Sequence, residues 1–575
     1  MTKAVIGVPD TLTLEDRAWL AYNAVVGLAD EDFGHIPFFS ANLIATPAFM
    51  QHGDWDYGSS HGRLIDAGIL ARHMNGIAEV SATEWAYRRN FMGFFGPDGL
   101  SYRQINPRGH WQANAHLIDQ RAVLLAMTTW MREGADDSVR AALERHVAAL
   151  KRIAVKERDV WYYPASEYTP SGWPSANAVQ MRLAADPASF CGRLIMPLLK
   201  SHTLTGSQDA LELCQFFANL IVHRSGVFLP DGSFNDALPY RSGHFHTRLG
   251  TLDGLARLAA FTHDHALTAF VKRSFDWALT QGTQFGWTPG DLYDQRYEHE
   301  TCSLVDLISI GIVLAGLGYA QYWGVVERFV RNHLTESQLL DLSWVQEGKG
   351  EELPGWLTYR GIGGRLQGAF AGYSAPNDYA CNLAYGRGHI NDVQACCIGS
   401  GVRGLFLAWS HSIARQDDGV YVNMLLNRGS QWLDVHSHLP YQGLVELHIH
   451  QDLPRLFVRV PQWAGYARVT IERWRGHGQS TLVSGSDPSM WMHAHYVRIG
   501  NVTAGETIRL RFPVAEETTR EVASGQSFEV HWRGDEVVQI DPPGEHHPFY
   551  NHRQYGHQPA LLRRSLTRPQ DVWMW

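Results

Sequence analysis

The chain has 575 residues, 45% of them hydrophobic and 19% charged, a balance that folds into packed domains and excludes a disordered polyelectrolyte. Its 49 basic and 58 acidic residues give a net charge of −9 without any long basic run, which excludes nucleic acid as the expected partner. An ordinary core serves roughly 100–200 residues, so two or three domains are expected.

The first residues, MTKAVIGVPDTLTLEDRAWL, carry acids early and hold no uninterrupted apolar run. They do not read as an export signal, so the expected compartment is the cytoplasm, where thiols stay reduced. From residue 1 to about 412 the pattern is helical. In 136–154, Val139, Leu143, Val147, Leu150 and Ala154 recur at helical spacing behind the acids Asp136 and Asp137, which suit the positive end of a helix. Similar segments fall near 14–28, 115–133, 188–205, 207–223, 246–262, 264–281, 302–319 and 321–334. Such a succession of paired helices predicts an (α/α)6-type barrel, or toroid, whose mouth is built from interhelical loops. Residues 307–326 are uncharged over about 20 residues, enough to span a bilayer. Their glycines, Gln321 and missing flanking anchors predict a buried helix instead, with no membrane partner.

After about residue 413 the period changes to two. The stretches 419–427, 432–439, 444–450, 455–461, 467–474, 496–500 and 506–513 alternate apolar and polar residues between turns. They predict an antiparallel β-sandwich over 413–540. The tail, 541–575, is rich in His, Pro and Arg and is expected to be irregular and packed on the other domains. The expected class is therefore multidomain α + β. The oligomeric state stays open, a homodimer among the alternatives.

Six cysteines stand at 191, 214, 302, 381, 396 and 397. Cys302 closes the stretch RYEHETC, two places after Glu300; Cys396 and Cys397 are adjacent, ahead of Gly399-Ser400-Gly401 and an apolar helical run. Vicinal cysteines are strained disulfide partners. A turn at 399–401 would set the pair at a helix N-terminus, where free N–H groups lower a thiol pKa. Glu300, Cys302, Cys396 and Cys397 make up a donor set that tetrahedral Zn²⁺ accepts. By spacing alone, metal binding and inert packing of three thiols remain alternatives. Cys381 has no assigned partner. Tyr373, Asn377 and Asp378 fall in a polar, Gly-rich segment that either lines a cleft or forms a surface connection.

YEHETC, the distant ACC, the Arg403-Gly404-Leu405 helix, DDGVYVNMLL, RLFVRVPQWA and YVRIGNVTAGETIRLRFP together resemble the β-L-arabinofuranosidase family, glycoside hydrolase family 127. SGHFHTRLGTLDGLARLAAFT adds a Gly-His pair that resembles the same family. The resemblance covers roughly residues 240–515, and the N-terminal half only as a helical pattern. It implies a catalytic α/α barrel followed by β-sandwich modules, with Zn²⁺ held by Glu300, Cys302, Cys396 and Cys397. It implies that Cys396 is the nucleophile of a retaining reaction on a terminal β-linked furanose, a β-L-arabinofuranoside or a related sugar, so that the partner is a carbohydrate. His244, with His246 beside it, takes the place of the family's substrate-contacting histidine. Trp287 and Tyr297 flank the site and are candidate sugar platforms.

The sequence departs from the family at the acid/base. Where a glutamate is expected, Thr283 and Gln284 stand, and neither exchanges a proton usefully near neutral pH. Glu298, Asp294 and Asp291 are the nearby substitutes. The family's C-C-P is replaced by CCIGSG. These departures keep two alternatives in view. One is a zinc-containing carbohydrate-binding or catalytically altered relative. The other is a lyase or epimerase on the same toroid, with His and Tyr as bases.

Overall fold

Residues 2–104, 114–134, 137–174, 186–235, 244–292, 298–379, 393–475, 479–484, 491–492, 495–523, 525–550 and 561–568 are described in a computed structural model. Among them are twelve helices of eight residues or more: α1 (Leu14–Gly27), α2 (His61–Met74), α3 (Ala82–Gly93), α4 (Leu117–Glu133), α5 (Asp137–Ile153), α6 (Ile195–Thr205), α7 (Gln208–His223), α8 (Phe245–Thr262), α9 (His265–Leu279), α10 (Thr301–Gly316), α11 (Tyr322–Phe329) and α12 (Ala395–His411).

The helices start and stop where local chemistry directs. Ser81, Ser207 and Asp264 accept the free N–H groups at the starts of α3, α7 and α9, and Gly134 and Gly206 take the left-handed conformation that ends α4 and α6. The even-numbered helices touch in closed order: α2 with α4, α4 with α6, α6 with α8, α8 with α10, α10 with α12, and α12 with α2. The odd-numbered helices lie against them, α1 on α12 and α2, α3 on α2, α5 on α4, α7 on α6, α9 on α8, and α11 on α10. Burial follows this order. Every residue of α2 is buried, whereas α5 buries the stripe of Val139, Leu143, Val147 and Leu150 and turns its charges to water. No helix among the described residues is long and apolar enough to cross a membrane; α10 ends at Gly316 within the apolar 307–326 stretch.

Three expectations are corrected. Helices α2 and α3 were not among the expected segments. The expected turn at Gly399-Ser400-Gly401 is instead continuous helix within α12. A Cβ at Gly399 would stand 2.9 Å from the Arg63 Cβ on α2, and one at Gly401 only 2.3 Å from the Phe370 ring. These glycines serve close packing, not a turn. The third correction concerns the chain ends. Thr2–Pro9 is a strand, paired antiparallel along its length with Leu561–Arg568, so residue 1 does not open a purely helical region and the tail is not wholly irregular.

Beyond Ile413 two sheets share one apolar core. The first runs, in spatial order, Ile413–Gln416, Gly419–Val422, Leu453–Arg459, Tyr496–Val502 and Trp491–Met492. The second runs Arg428–Gly429, Leu433–Ser437, Leu444–Ile449, Thr507–Arg511, Thr470–Arg475 and Gln479–Ser484. Val420, Val458 and Val497 from the first meet Val435, Leu447 and Leu510 from the second. The second sheet is antiparallel throughout, but Gly419–Val422 and Leu453–Arg459 in the first run parallel, so the layer pair is not antiparallel throughout as expected. A three-stranded antiparallel sheet, Glu516–Ala523, Gln526–Arg533 and Glu536–Asp541, packs Phe528, Val530 and Val537 into the helical core instead. Arg331 fastens it there through Glu536 at 2.7 Å. The expected span 413–540 therefore takes in a sheet whose apolar face packs with the helices.

Candidate metal centre

Two short strands feed two helix starts at one end of the helical ring. His299–Glu300 pairs with Tyr373–Ser374 and passes directly into α10, which puts Glu300 at the N-cap and Cys302 in the first turn. Val393–Gln394 pairs with Ser40–Ala41 and passes into α12, which puts Cys396 and Cys397 in its first turn. Strand pairing fixes where each helix begins, and the helix starts bring the four side chains together.

One ligand atom each from Glu300, Cys302, Cys396 and Cys397 falls within 4.8 Å of all the others. Cys302 Sγ lies 3.7 Å from Cys397 Sγ, and Cys396 Sγ lies 3.9 Å from Cys397 Sγ. A tetrahedral ion with Zn–S bonds of about 2.3 Å separates its sulfurs by about 3.8 Å. Spacing and donor chemistry both fit zinc. Glu300, Cys302 and Cys397 are 4%, 1% and 0% exposed, while Cys396 is half-buried.

The surroundings of these groups are specific. His244, the N-cap of α8, sets Nε2 2.7 Å from Glu300 Oε2, and its Nδ1 lies 2.8 Å from Thr247 Oγ1. Such a partner orients a ligating carboxylate and leaves the second oxygen for the ion. The Cys396 thiol donates to Gln394 Oε1 at 3.1 Å, and Arg63 of α2 brings Nη1 to 3.9 Å from Cys302 Sγ and 3.3 Å from Ser400 Oγ. Hydrogen bonds from Cys302 and Cys397, then the charge of Arg63, hold the Cys396 thiol well below its ordinary range. Hydrogen bonds with Cys302 and Cys396 push Cys397 well up, and burial pushes Cys302 up. Reading residue types and spacing singled out neither Arg63 nor Gln394, and no signal in the sequence marks them.

The other candidates separate. The Asp291 backbone bridges that of His244, Gly290 N–H donates to Glu298 O at 2.8 Å, and Phe245 N–H donates to Gly290 O at 3.0 Å. Asp291 and Glu298, both buried, thus stand on segments laced to His244 and to the strand of Glu300. Asp294, Tyr297 and Cys381 lie outside the described residues. Two substrate-binding expectations are corrected. His246 is 3% exposed and links Asp306, at 2.6 Å, to Arg193; burial, then Arg193, drives its pKa well below the ordinary value. Trp287 is 1% exposed and donates its indole N–H to Ser374 O at 3.1 Å. It braces the strand behind Glu300 and offers no open face to a sugar. At the expected acid/base position, the Thr283 hydroxyl accepts from Trp287 N–H at 3.1 Å, and Gln284 Oε1 accepts from Arg328 at 3.0 Å.

A second group with ligand spacing, His436, Glu446 and His448, lies on the second sheet, but Arg509 already holds its carboxylate at 2.7 Å.

No protein-family model and no curated protein sequence matches the chain. Solved structures do. A GH127 β-L-arabinofuranosidase from Geobacillus stearothermophilus T6 superposes with a TM-score of 0.54 at 15% identity, covering 92% of this chain and 80% of that one. A GH127 β-arabinofuranosidase superposes with a TM-score of 0.59 at 14% identity, covering 93% and 85%. A third structure, described as a glycoside hydrolase, gives 0.58 at 14% identity, covering 93% and 83%. At such identities the shared property is the fold: nearly the whole of this chain follows the fold of GH127 β-L-arabinofuranosidases.

Proposed function

We propose that this protein is a retaining glycoside hydrolase acting on a terminal β-linked furanose, a β-L-arabinofuranoside or a related sugar, with Cys396 as its nucleophile. The ring of helices is, on this reading, an (α/α)6 toroid carrying the site at one mouth, and the paired sheets are its β-sandwich. One observation carries the proposal: of four residues spaced to hold one ion, Cys396 is the least buried.

Glu300, Cys302, Cys396 and Cys397 would hold Zn²⁺, which when bound keeps its sulfur ligands as thiolates at neutral pH. His244 fixes the Glu300 carboxylate, and Gln394 contacts the Cys396 sulfur. The Cys396 thiolate attacks the anomeric carbon, forming a C–S bond as the bond to the leaving oxygen breaks. Glu298 gives that oxygen a proton; Asp291 is the substitute. The deprotonated carboxylate then takes a proton from water, which breaks the C–S bond from the face the leaving group vacated, so configuration is retained.

The test is a panel of aryl glycofuranosides with metal analysis. About one zinc per chain, hydrolysis with retention, and loss of hydrolysis in Cys396→Ala support the proposal. Zinc-free protein, or a Cys396→Ala variant of unchanged rate, defeats it. Thr283 and Gln284, both engaged structurally where the family carries its acid, favour one second reading: a relative that binds zinc and sugar without turnover. That reading requires sugar binding with no hydrolysis of even the most activated aryl glycoside.

A further inference from the structure

Deeper along the axis of the helical ring, beneath the cysteine cluster, lies a cavity of about 20 Å³ lined by residues of all six even-numbered helices. That is room for one water-sized or halide-sized body. Its walls are mostly ionic. Five cations face it: Arg63, Arg121, Lys200, Arg257 and Arg403. Three carboxylates face them: Asp66, Asp253 and Asp306.

The carboxylates are already engaged. Asp66 takes both arms of Arg403. Asp253 takes Arg257 at 3.0 Å, and Asp306 takes the His246 ring at 2.6 Å. Arg63 turns to the cysteine cluster through Cys302. With Arg63 assigned to that cluster, the four remaining cations, Arg121, Lys200, Arg257 and Arg403, face three carboxylates, so the wall carries an excess of positive charge. Arg121 is 7% exposed, Asp306 acts on it only through charge, and its Nε has no hydrogen-bond partner among the described residues. No ion pair or hydrogen bond of its guanidinium is found there either, so its N–H groups are left to the cavity it lines. Burial, then the nearby Arg193 and Arg63, pushes the Arg121 guanidinium well below its ordinary range. A guanidinium nevertheless keeps its proton in proteins, and a buried cation is retained only when something compensates it.

We propose that the axial cavity is a binding site for one monovalent, halide-sized anion, chloride in ordinary solution, held by Arg121. The ion offsets the excess positive charge of the wall and gives Arg121 of α4 a partner at the axis. It is a structural site; the sugar does not enter it, and the inference does not depend on the proposed activity.

The full-length protein, freed of halide by exchange into sodium gluconate, tests this. Thermal unfolding followed against sodium chloride, sodium bromide or further gluconate at equal ionic strength should give a Tm that rises with either halide and not with gluconate. The halide response should vanish in Arg121→Met. Should that variant fail to fold, crystals of the unaltered protein in bromide decide. An anomalous bromine peak within hydrogen-bond distance of the Arg121 guanidinium establishes the site. A cavity holding only water, bromide bound solely elsewhere, or equal Tm in chloride and gluconate overturns it.

Discussion

His244 Nε2 stands 2.7 Å from Glu300 Oε2, which joins the start of α8 to the start of α10 exactly one residue before the cysteine-bearing turn. The contact occupies one carboxylate oxygen and orients the other. Removing such a partner of a metal ligand typically costs about 10–100-fold in metal affinity. His244→Ala should therefore bind zinc about 10–100-fold more weakly, read by competition with a chelating dye, while its far-ultraviolet circular dichroism stays unchanged. Unaltered zinc affinity would make His244 a substrate contact only.

The first turns of α12 are set by two glycines. A Cβ at Gly401 would fall 2.3 Å from the Phe370 ring, and one at Gly399 would fall 2.9 Å from Arg63 Cβ. Phe370 is fully buried and cannot yield. Gly401→Ala should destabilise the fold by about 1–3 kcal/mol, the usual range for overpacking. Because Cys396 and Cys397 ride on the same helix, it should also lower zinc content. Urea unfolding and metal analysis of one preparation check both; a stable variant with full zinc would mean that α12 shifts without disturbing its first turn.

How much of this was legible beforehand depended on whether a residue's environment is local. Helix α5 was readable because water faces one side of it, so Val139, Leu143 and Val147 stand out against charges. Helix α2 was not, because it has no water side: Arg72 is buried against Glu84, and Asp66 against Arg403, which erases the polar stripe that amphipathic reading needs. The pairing of Thr2–Pro9 with Leu561–Arg568 joins the chain ends and leaves no trace in local pattern. The grouping of Glu300, Cys302, Cys396 and Cys397 followed from the order of motifs shared with a family, since spacing alone left packing open. His246 and Trp287 were placed beside the site by sequence proximity, but whether a ring faces a cleft or a core is decided by distant elements, here Asp306 and Ser374.

Two buried histidines outside the cysteine cluster predict how the fold responds to acid. His61 and His146 are completely buried, and burial lowers each to about 4. Each Nδ1–H donates to a backbone oxygen, that of Asp56 at 2.8 Å and that of Gly99 at 2.9 Å. An unfolded histidine titrates near 6.5. Between about pH 6.5 and 4 the unfolded chain therefore binds protons that the folded chain refuses, and stability falls as pH falls through that window. Each group contributes a slope of about 1.4 kcal/mol per pH unit at most. His146→Gln should flatten the dependence of unfolding free energy on pH by about one proton in that window. An unchanged slope would show that His146 is protonated in the folded state.

The last question is which group protonates the departing oxygen, since Thr283 and Gln284 are committed to a turn and to Arg328. Glu298 lies two residues before Glu300, buried, with its carbonyl accepting from Gly290. An acid matters in proportion to how poor the leaving group is, and general acid catalysis contributes typically about 10²–10⁴-fold. Glu298→Gln should therefore slow an alkyl or sugar-linked furanoside by about 10²–10⁴-fold while changing the first turnover of a nitrophenyl furanoside little. External azide should restore part of its steady-state rate, because a small anion can replace water where the base is missing. Glu298→Gln keeps size and hydrogen-bonding capacity, so a folding defect would show as equal loss on both substrates together with lost zinc. Equal loss with zinc intact would remove Glu298 from the role and transfer it to Asp291, whose own Asn variant should then show the selective pattern.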